Sequence, residues 1–511
     1  MPTAWQRAGS FVQDLGRYKG YDLYLMFSKR PKDEDLLYNE LDIICVTWYS
    51  KLEEIRQIGG TPAMKTMQST ALDSPYENAE SESLCAEIIS RSEQAFTIQI
   101  SIPYLDSMLK SEEIIQHQLN KAGVQATQEV LSRFDTDGAP IQHGATTFFS
   151  KGKEPKAYQT PYGPAVVDRH VYQTAKGGKT FCPLEHDARI IITSTPKFAK
   201  MVSSKYSDLG GSRVQTDLKE NHARAVARSY IQNVAEAVGA VVEAKEDKWK
   251  YQTPPIDKKV GSIAIGMDGT TMLLCQDGYR EAMVGTIALY DKAGNRQHTH
   301  YLGATPEHGK ERFLARLESE IAHIKADFPD ANYVGLADGA KCNWTFLKQH
   351  TDTQTIDFWH ATEYLAKAAG AMFRGKRQVQ AKAEWLDQAC HKLKHTVGGA
   401  TRLFNEMKAF DEHNELPQPQ KEPLESATTY FGNNKSKMTY AKNLKRNLPI
   451  GSGVTEAACK VIVKQRMCGS AMKWKEKGAA AVLRLRCLNY SNGRWDQFWD
   501  KVNQYGLPMA A

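Results

Sequence analysis

From residue 260 onward the chain alternates short apolar runs with amphipathic ones in an order that few sheet topologies accommodate. GSIAIGMDG reads as an apolar strand stopped by Asp-Gly. REAMVGTIALYDKAGNRQHTHYLGA reads as two strands joined by a turn at Asp291–Gly294. EHGKERFLARLESEIAHIKADF has a helical period and stops before Pro329. ANYVGLADG is another apolar strand stopped by Asp-Gly, TIDFWH a further short strand, and ATEYLAKAAGAMF a helix. The predicted order is β-β-β-α-β-α-β-α.

That is the chain order of an RNase H-like α/β core, a mixed sheet flanked by helices. In such a sheet the first and fourth strands are neighbours. Asp268 is expected to end the first and Asp338 the fourth, so their carboxylates would face one another at one edge. Two carboxylates so close repel, and one pKa rises unless a cation lies between them. A hard divalent ion with oxygen ligands, Mg²⁺ or Mn²⁺, resolves the repulsion. With a third carboxylate from a helix, the result is a two-metal site suited to in-line displacement at phosphorus. Asp-Gly after a strand is also ordinary turn chemistry, so neither aspartate carries this reading alone. The third carboxylate is expected from GSGVTEAACKVIVKQRM, capped at Ser452-Gly453. There Val454, Ala458, Val461 and Ile462 form the predicted buried stripe, and Glu456 points away from it, beside Lys460 and Val463. Periodicity does not separate an active-site glutamate from a solvated one.

The core is read over 260–365 and, after a helical insertion at 366–445 containing the Pro-rich LPQPQKEP, over the last helices and basic C-terminal region at 446–511. Upstream, residues 1–139 read as mostly helical: ELDIICVTWYSKLEEIRQIGG stops on Gly59-Gly60, and SEEIIQHQLNKAGVQATQEVLSRF stops at DTDG. Between Lys65 and Arg91 no basic residue occurs, and the Ser, Thr and Pro content suggests a linker. Residues 140–195 read as a β-hairpin element, AVVDRHVYQ and KTFCPLE around Lys176-Gly177-Gly178. Residues 196–250 read as three helices, the last with an apolar stripe of Val226, Tyr230, Val234, Val238 and Val241. His222, Arg224 and Arg228 near its start suit a helix-turn-helix DNA reader. Helices joined by short turns are equally common in ordinary cores.

Charge is unevenly placed. The 511 residues carry a net +7, but 421–511 hold 16 Lys/Arg against 6 Asp/Glu, a local +10 that leaves −3 for the rest. A basic C-terminal region favours a polyanionic partner, most often nucleic acid, although a solvated lysine-rich helical surface has the same composition. A hydrophobic content of 41% excludes a wholly disordered chain. Nine cysteines without CxxC spacing predict reduced thiols in a cytoplasmic protein, with no zinc ribbon. No apolar run approaches a membrane span, and no secretion signal is read at the start, so no membrane association is expected.

Taken together, MDGTT, REAMVGTIALYD-x-x-G-x-RQHT-x-YLGA-x-PE-x-GK, ADGAKCNW, IDFWHATEYL and GSGVTEAACKVIVKQRM-x-GS-x-M-x-W-x-x-x-GAAAVLRLR resemble the bacterial insertion-sequence transposases of the ISKra type, a DDE family. YQTPYGPAVVDRHVYQ and GGKTFCPLE are similar to that family too, so the resemblance spans roughly 130–500. It implies a catalytic and metal-binding triad of Asp268, Asp338 and Glu456. Asp357 and His360, in DFWH, match the (C/D)xxH signature of Mutator-like and related transposases and are implied as accessory; His360 reads equally as a core-packed histidine. The family usually has Gly-Met-Arg-Trp where this chain has Ala471, Met472, Lys473 and Trp474. A lysine there is a point charge in place of a bidentate fork on phosphate. Related chains often carry a zinc-ribbon-like element before the core, whereas Cys182 stands alone here. The expected activity is transposition: a homo-oligomer binds double-stranded terminal inverted repeats, cuts them with Mg²⁺ or Mn²⁺, and joins the freed 3′-OH ends to target DNA. Arg224, Arg228, Arg466, Lys473, Trp474, Arg484 and Arg486 are the expected DNA contacts. A structure-specific metal nuclease on the same fold and a domesticated, non-catalytic DNA-binding protein are the alternatives.

Overall fold

The computed structural model describes residues 10–18, 21–28, 86–143, 146–175, 177–246, 248–307, 310–338 and 341–507. The chain forms two compact units, Met1–Glu77 and Asn78–Ala511. The helix expected over ELDIICVTWYSKLEEIRQIGG and most of the linker lie outside the described residues.

In the first unit, β1 (Ser10–Tyr18) pairs antiparallel with β2 (Tyr21–Ser28), from Ser10↔Ser28 to Tyr18↔Tyr21. This corrects the mostly helical reading of 1–139. SFVQDLGRY and YDLYLMFS are rich in aromatic residues, which favour strands. The second unit opens with another hairpin, β3 (Glu87–Arg91) and β4 (Phe96–Gln99). Only then comes the expected helix, α1 (Met108–Ser132).

The hairpin read at 140–195 is part of a four-stranded antiparallel sheet in sequential order: β5 (Ile141–His143), β6 (Thr146–Gln159), β7 (Pro164–Thr174) and β8 (Gly177–Phe181). The short helix α2 (Pro183–Asp187) follows. The three helices expected next are α3 (Pro196–Asp208), α4 (Gly211–His222) and α5 (Arg228–Lys245).

The central sheet has five strands: β9 (Val260–Leu274), β10 (Gly278–Asp291), β11 (Arg296–Ala304), β12 (Asn332–Ala337) and β13 (Thr353–Ile356). Its spatial order is β11-β10-β9-β12-β13, with β9, β10 and β11 antiparallel and β12 and β13 added in parallel. Helix α6 (Glu311–Asp327) links β11 to β12, and α7 (Lys341–His350) links β12 to β13. α8 (Phe358–Met372) then leads into the expected helical insertion: α9 (Val379–His395), α10 (Gly399–His413), α11 (Gln418–Asn434) and α12 (Tyr440–Lys445). The Pro-rich LPQPQKEP starts α11, where Pro419 has no backbone N–H to leave unpaired.

GSGVTEAACKVIVKQRM is not one regular helix. It comprises α13 (Gly453–Ala458), a π-helical stretch over Cys459–Lys464, and α14 (Gln465–Met467). The buried stripe is Thr455, Ala458, Cys459, Ile462 and Val463, and Val454 and Val461 are only half-buried. The chain closes with α15 (Glu476–Tyr490) and α16 (Arg494–Tyr505).

Side chains alternate across β9. Ile263, Ile265 and Met267 join a core with α6, α8 and the insertion helices. Beyond Asp268 the β9–β10 arm supplies Met272, Leu274, Ala282 and Val284 to a second core, shared with α3, α5, the π-helical stretch and α15. The helices of 196–250 and the sheet therefore share one apolar core. Val234, Val238 and Val241 of α5 are buried in it as the stripe foretold, which confines the helix's solvent face to residues such as Arg228, Gln232, Asn233 and Glu243.

Candidate functional site

Asp268 does not end its strand; β9 runs on to Leu274, and Asp268 pairs with Val284 of β10. What ends near it is the pairing with β12, whose last parallel pair is Leu336↔Gly266. Two residues further along each chain, Asp338 stands level with Asp268. Alternation puts Ala264 and Gly266 on the side of α13, together with Val334 and Leu336. Asp268 continues that side: the Cys459 thiol donates to its Oδ2 at 3.6 Å, and its own Oδ1 accepts the Gly269 N–H at 2.8 Å. Burial raises the Asp268 carboxyl above its ordinary value and the Asp338 charge raises it further, against the Gly269 N–H, the Cys459 thiol and His360, which lower it. Cys459 is itself pushed up to about 12, by burial and then by Asp268, so it stays a thiol that donates. Asn343 Nδ2 lies 3.5 Å from Asp338 Oδ1.

Glu456 is on α13, half-exposed, in the turn before Cys459. Its Oε1 accepts from Ser452 Oγ at 2.9 Å and lies 3.7 Å from His360 Nε2. The other ring nitrogen of His360 is 3.5 Å from Glu363 Oε2. His360 is thus partly exposed at the site, not packed in the core. Asp357, fully buried, caps α8 by accepting the His360 N–H at 2.8 Å.

Among the described residues, one set of three metal-capable side chains brings its ligand atoms within 4.8 Å of one another, and it is Asp357, His360 and Glu456. By spacing this set could hold a metal ion. The expected set of Asp268, Asp338 and Glu456 is not the one so gathered; Asp268 sits on β9, Asp338 just past the end of β12, and Glu456 turns toward His360. Carboxylate repulsion at partly buried Asp268, and the carboxylate oxygens of Asp268, Asp338 and Glu456, are what a hard divalent cation would relieve and use.

The insertion reaches this site. The phenol of Tyr430, on α11, is raised by burial first, then by Tyr364, Asp338, Asp357 and Glu363. Tyr364 of α8 stacks on it with ring centroids 3.7 Å apart.

The expected DNA contacts divide sharply. Arg224 is buried, donating to Thr160 O at 3.1 Å and Gln159 Oε1 at 2.6 Å, over the Phe198 ring. Arg466 is buried, donating to Tyr206 O between the Tyr206 and Trp474 rings. Arg486 is 2% exposed, with donors on Ile462 O, Val461 O, Ser207 O and Asp208 Oδ1. Trp474 donates from Nε1 to Met467 O, and its backbone extends the end of β9. The three arginines are corrected to structural residues, since each buried guanidinium already has acceptors inside the protein; Trp474 is half-buried. Arg484 is largely covered and pairs with Glu243 at 3.0 Å. Arg228 and Lys473 are exposed. The reading of the sequence passed over Lys464, which is exposed two turns after Glu456 along with Lys460 at one turn, and it passed over Ser452 and Cys459, which hold Glu456 and Asp268.

Among the described residues no helix is long and apolar enough to cross a membrane. No protein-family model matches the chain, and no curated protein matches it.

Proposed function

We propose that this chain is a DDE transposase of the ISKra type on an RNase H-like core. One observation carries the reading. Asp268 lies on β9 two residues past its last pair with β12, Asp338 follows the end of β12 by one residue, and Cys459, in the helical stretch that continues from Glu456, donates to Asp268. Three antiparallel strands followed by two parallel ones, with the fourth beside the first, are the order expected of such a core.

In this reading Asp268 and Asp338 would hold Mg²⁺ or Mn²⁺, and Glu456, with its Oε1 held by Ser452, would complete the ligand set through Oε2. The ions, when bound, supply an activated water and neutralise the leaving oxygen. His360, beside Glu456, is set to meet the scissile phosphate or to hold a proton for the departing 3′-OH. Lys460, Lys464 and Lys473 hold flanking phosphates of a double-stranded end, and Arg228 adds a contact from the start of α5. Tyr430 of the insertion, stacked on Tyr364 of α8, would line the path of the DNA beside these residues. Two or more copies would pair the ends, and the freed 3′-OH would attack target DNA. The protein works at the bacterial chromosome in the cytoplasm.

The test is to sequence the DNA on either side of the gene and to measure binding of any terminal inverted repeats found. Repeats bound in preference to a scrambled duplex of equal length support transposition. Cutting of branched duplexes without such repeats would favour the nuclease alternative instead.

A further inference from the structure

Asp357 touches more of the site than its position at the start of α8 requires. Its backbone N–H donates to Ala337 O at 3.0 Å, and Ala337 immediately precedes Asp338. Its Oδ1 takes the His360 N–H. Its Oδ2 takes two donors from one residue, the Ser452 N–H and the Ser452 hydroxyl, the latter at 2.9 Å. The same hydroxyl is 2.9 Å from Glu456 Oε1. One residue on, the Phe358 N–H donates to Ile450 O at 3.0 Å. The whole helical excursion between 358 and 450 is therefore pinned at its two ends, and the pin joins the strand of Asp338 to the helix of Glu456.

A serine hydroxyl has one proton to give. Facing two carboxylate oxygens, it can satisfy only one at a time. Asp357 does not depend on it alone, because it also holds the Ser452 N–H; Glu456, half-exposed to solvent, has the hydroxyl and His360 beside it. Asp357 is fully buried and both its oxygens are occupied by protein donors, so little of it is left for a metal despite its spacing from His360 and Glu456. Hydrogen-bonded partners of this kind orient metal-binding carboxylates, and their loss typically weakens metal affinity about 10- to 100-fold.

We propose that Asp357 and Ser452 are positioning residues that hold Glu456 in register with Asp338 across the insertion, so that metal affinity depends on a hydroxyl that itself binds no metal. This inference rests on the metal-dependent reading given above. The test uses the full chain and Mn²⁺ alone, titrated by calorimetry into wild type, Ser452→Ala, Asp357→Asn and the double variant, each first checked for native circular dichroism. Ser452→Ala keeps the backbone N–H that Asp357 needs and removes only the hydroxyl. It is expected to weaken Mn²⁺ binding about tenfold or more. The double variant is expected to bind no worse than Asp357→Asn, because the two residues act along one chain of contacts. In a cleavage assay, the Mn²⁺ concentration giving half-maximal rate should rise by the same factor, while the rate at saturating Mn²⁺ falls far less. Unchanged Mn²⁺ affinity in Ser452→Ala, or losses that add, would overturn the inference and leave the metal site standing. Absence of Mn²⁺ binding by wild type would overturn both. If Asp357→Asn does not fold, Ser452→Ala decides alone.

Discussion

Thr455 Oγ1 of α13 stands 2.0 Å from where a Cβ on Gly266 would be, so only glycine at 266 lets this helix sit against β9. Thr455 also shares a 2.7 Å hydrogen bond with Thr286 on β10, and its neighbour in sequence is Glu456. The close approach therefore sets how near Glu456 comes to the sheet that carries Asp268. Gly266→Ala is expected to destabilise the protein by about 1–3 kcal/mol, as overpacking does, and to weaken Mn²⁺ binding by moving α13 outward. Urea unfolding and Mn²⁺ titration of the same preparation check both. A variant as stable as wild type with full Mn²⁺ affinity would show that the contact is not fixed.

The pH dependence of stability at Asp268 has a definite sign. Burial and then Asp338 raise its carboxyl above the ordinary 3.8, so the folded state holds that proton more tightly than the unfolded chain does. The group's favourable contribution is therefore present at acidic pH and is lost as pH rises through the raised value. Asp268→Asn buries no charge. Without divalent metal it should resist urea better than wild type at pH 7, and the difference should shrink toward pH 4. Addition of Mn²⁺ should then stabilise wild type more than the variant. Urea midpoints across that range provide the check, and a difference that grows toward pH 4 would contradict it.

Arg486 and Lys473 should behave oppositely. Arg486→Ala strips a buried guanidinium from three backbone carbonyls and Asp208, and about 3–5 kcal/mol of stability should go with it. Lys473→Ala, at an exposed position, should change stability by less than about 0.5 kcal/mol. It should instead lower the slope of log affinity for duplex DNA against log salt by about 0.9, the share of one phosphate contact. Chemical unfolding and DNA binding between low and moderate salt separate the two. A stable Arg486→Ala with weakened DNA binding would reverse the assignment.

The sheet was legible because its strands are apolar runs bounded by turn residues, and their order along the chain restricts how they can pair. The helical character of 379–445 was legible from its composition. Asp268 was misplaced at a strand end because Asp-Gly normally stops a strand; here β10 continues to pair through Gly269, and only β12 departs. The stripe of 453–467 was misplaced because the small Thr455 and Cys459, not the more apolar Val454 and Val461, face the sheet. Counting charge in 421–511 located a basic region but treated every arginine as surface. Arg466 and Arg486 instead close gaps between the last helices and α3. The link from Asp357 through Ser452 to Glu456 joins residues 95 and 4 positions apart, which no local pattern displays.

The central claim is that Asp268 serves metal-dependent DNA cleavage. The direct measurement is nicking of a labelled inverted-repeat duplex in Mg²⁺ or Mn²⁺, wild type beside Asp268→Asn, with end binding measured on the same preparations. Wild type should cut at the repeat end. Asp268→Asn should bind the ends and cut at least about a hundredfold more slowly, a barrier increase of roughly 2.7 kcal/mol or more. Equal cutting by both proteins, or binding without cutting by both, would contradict the account.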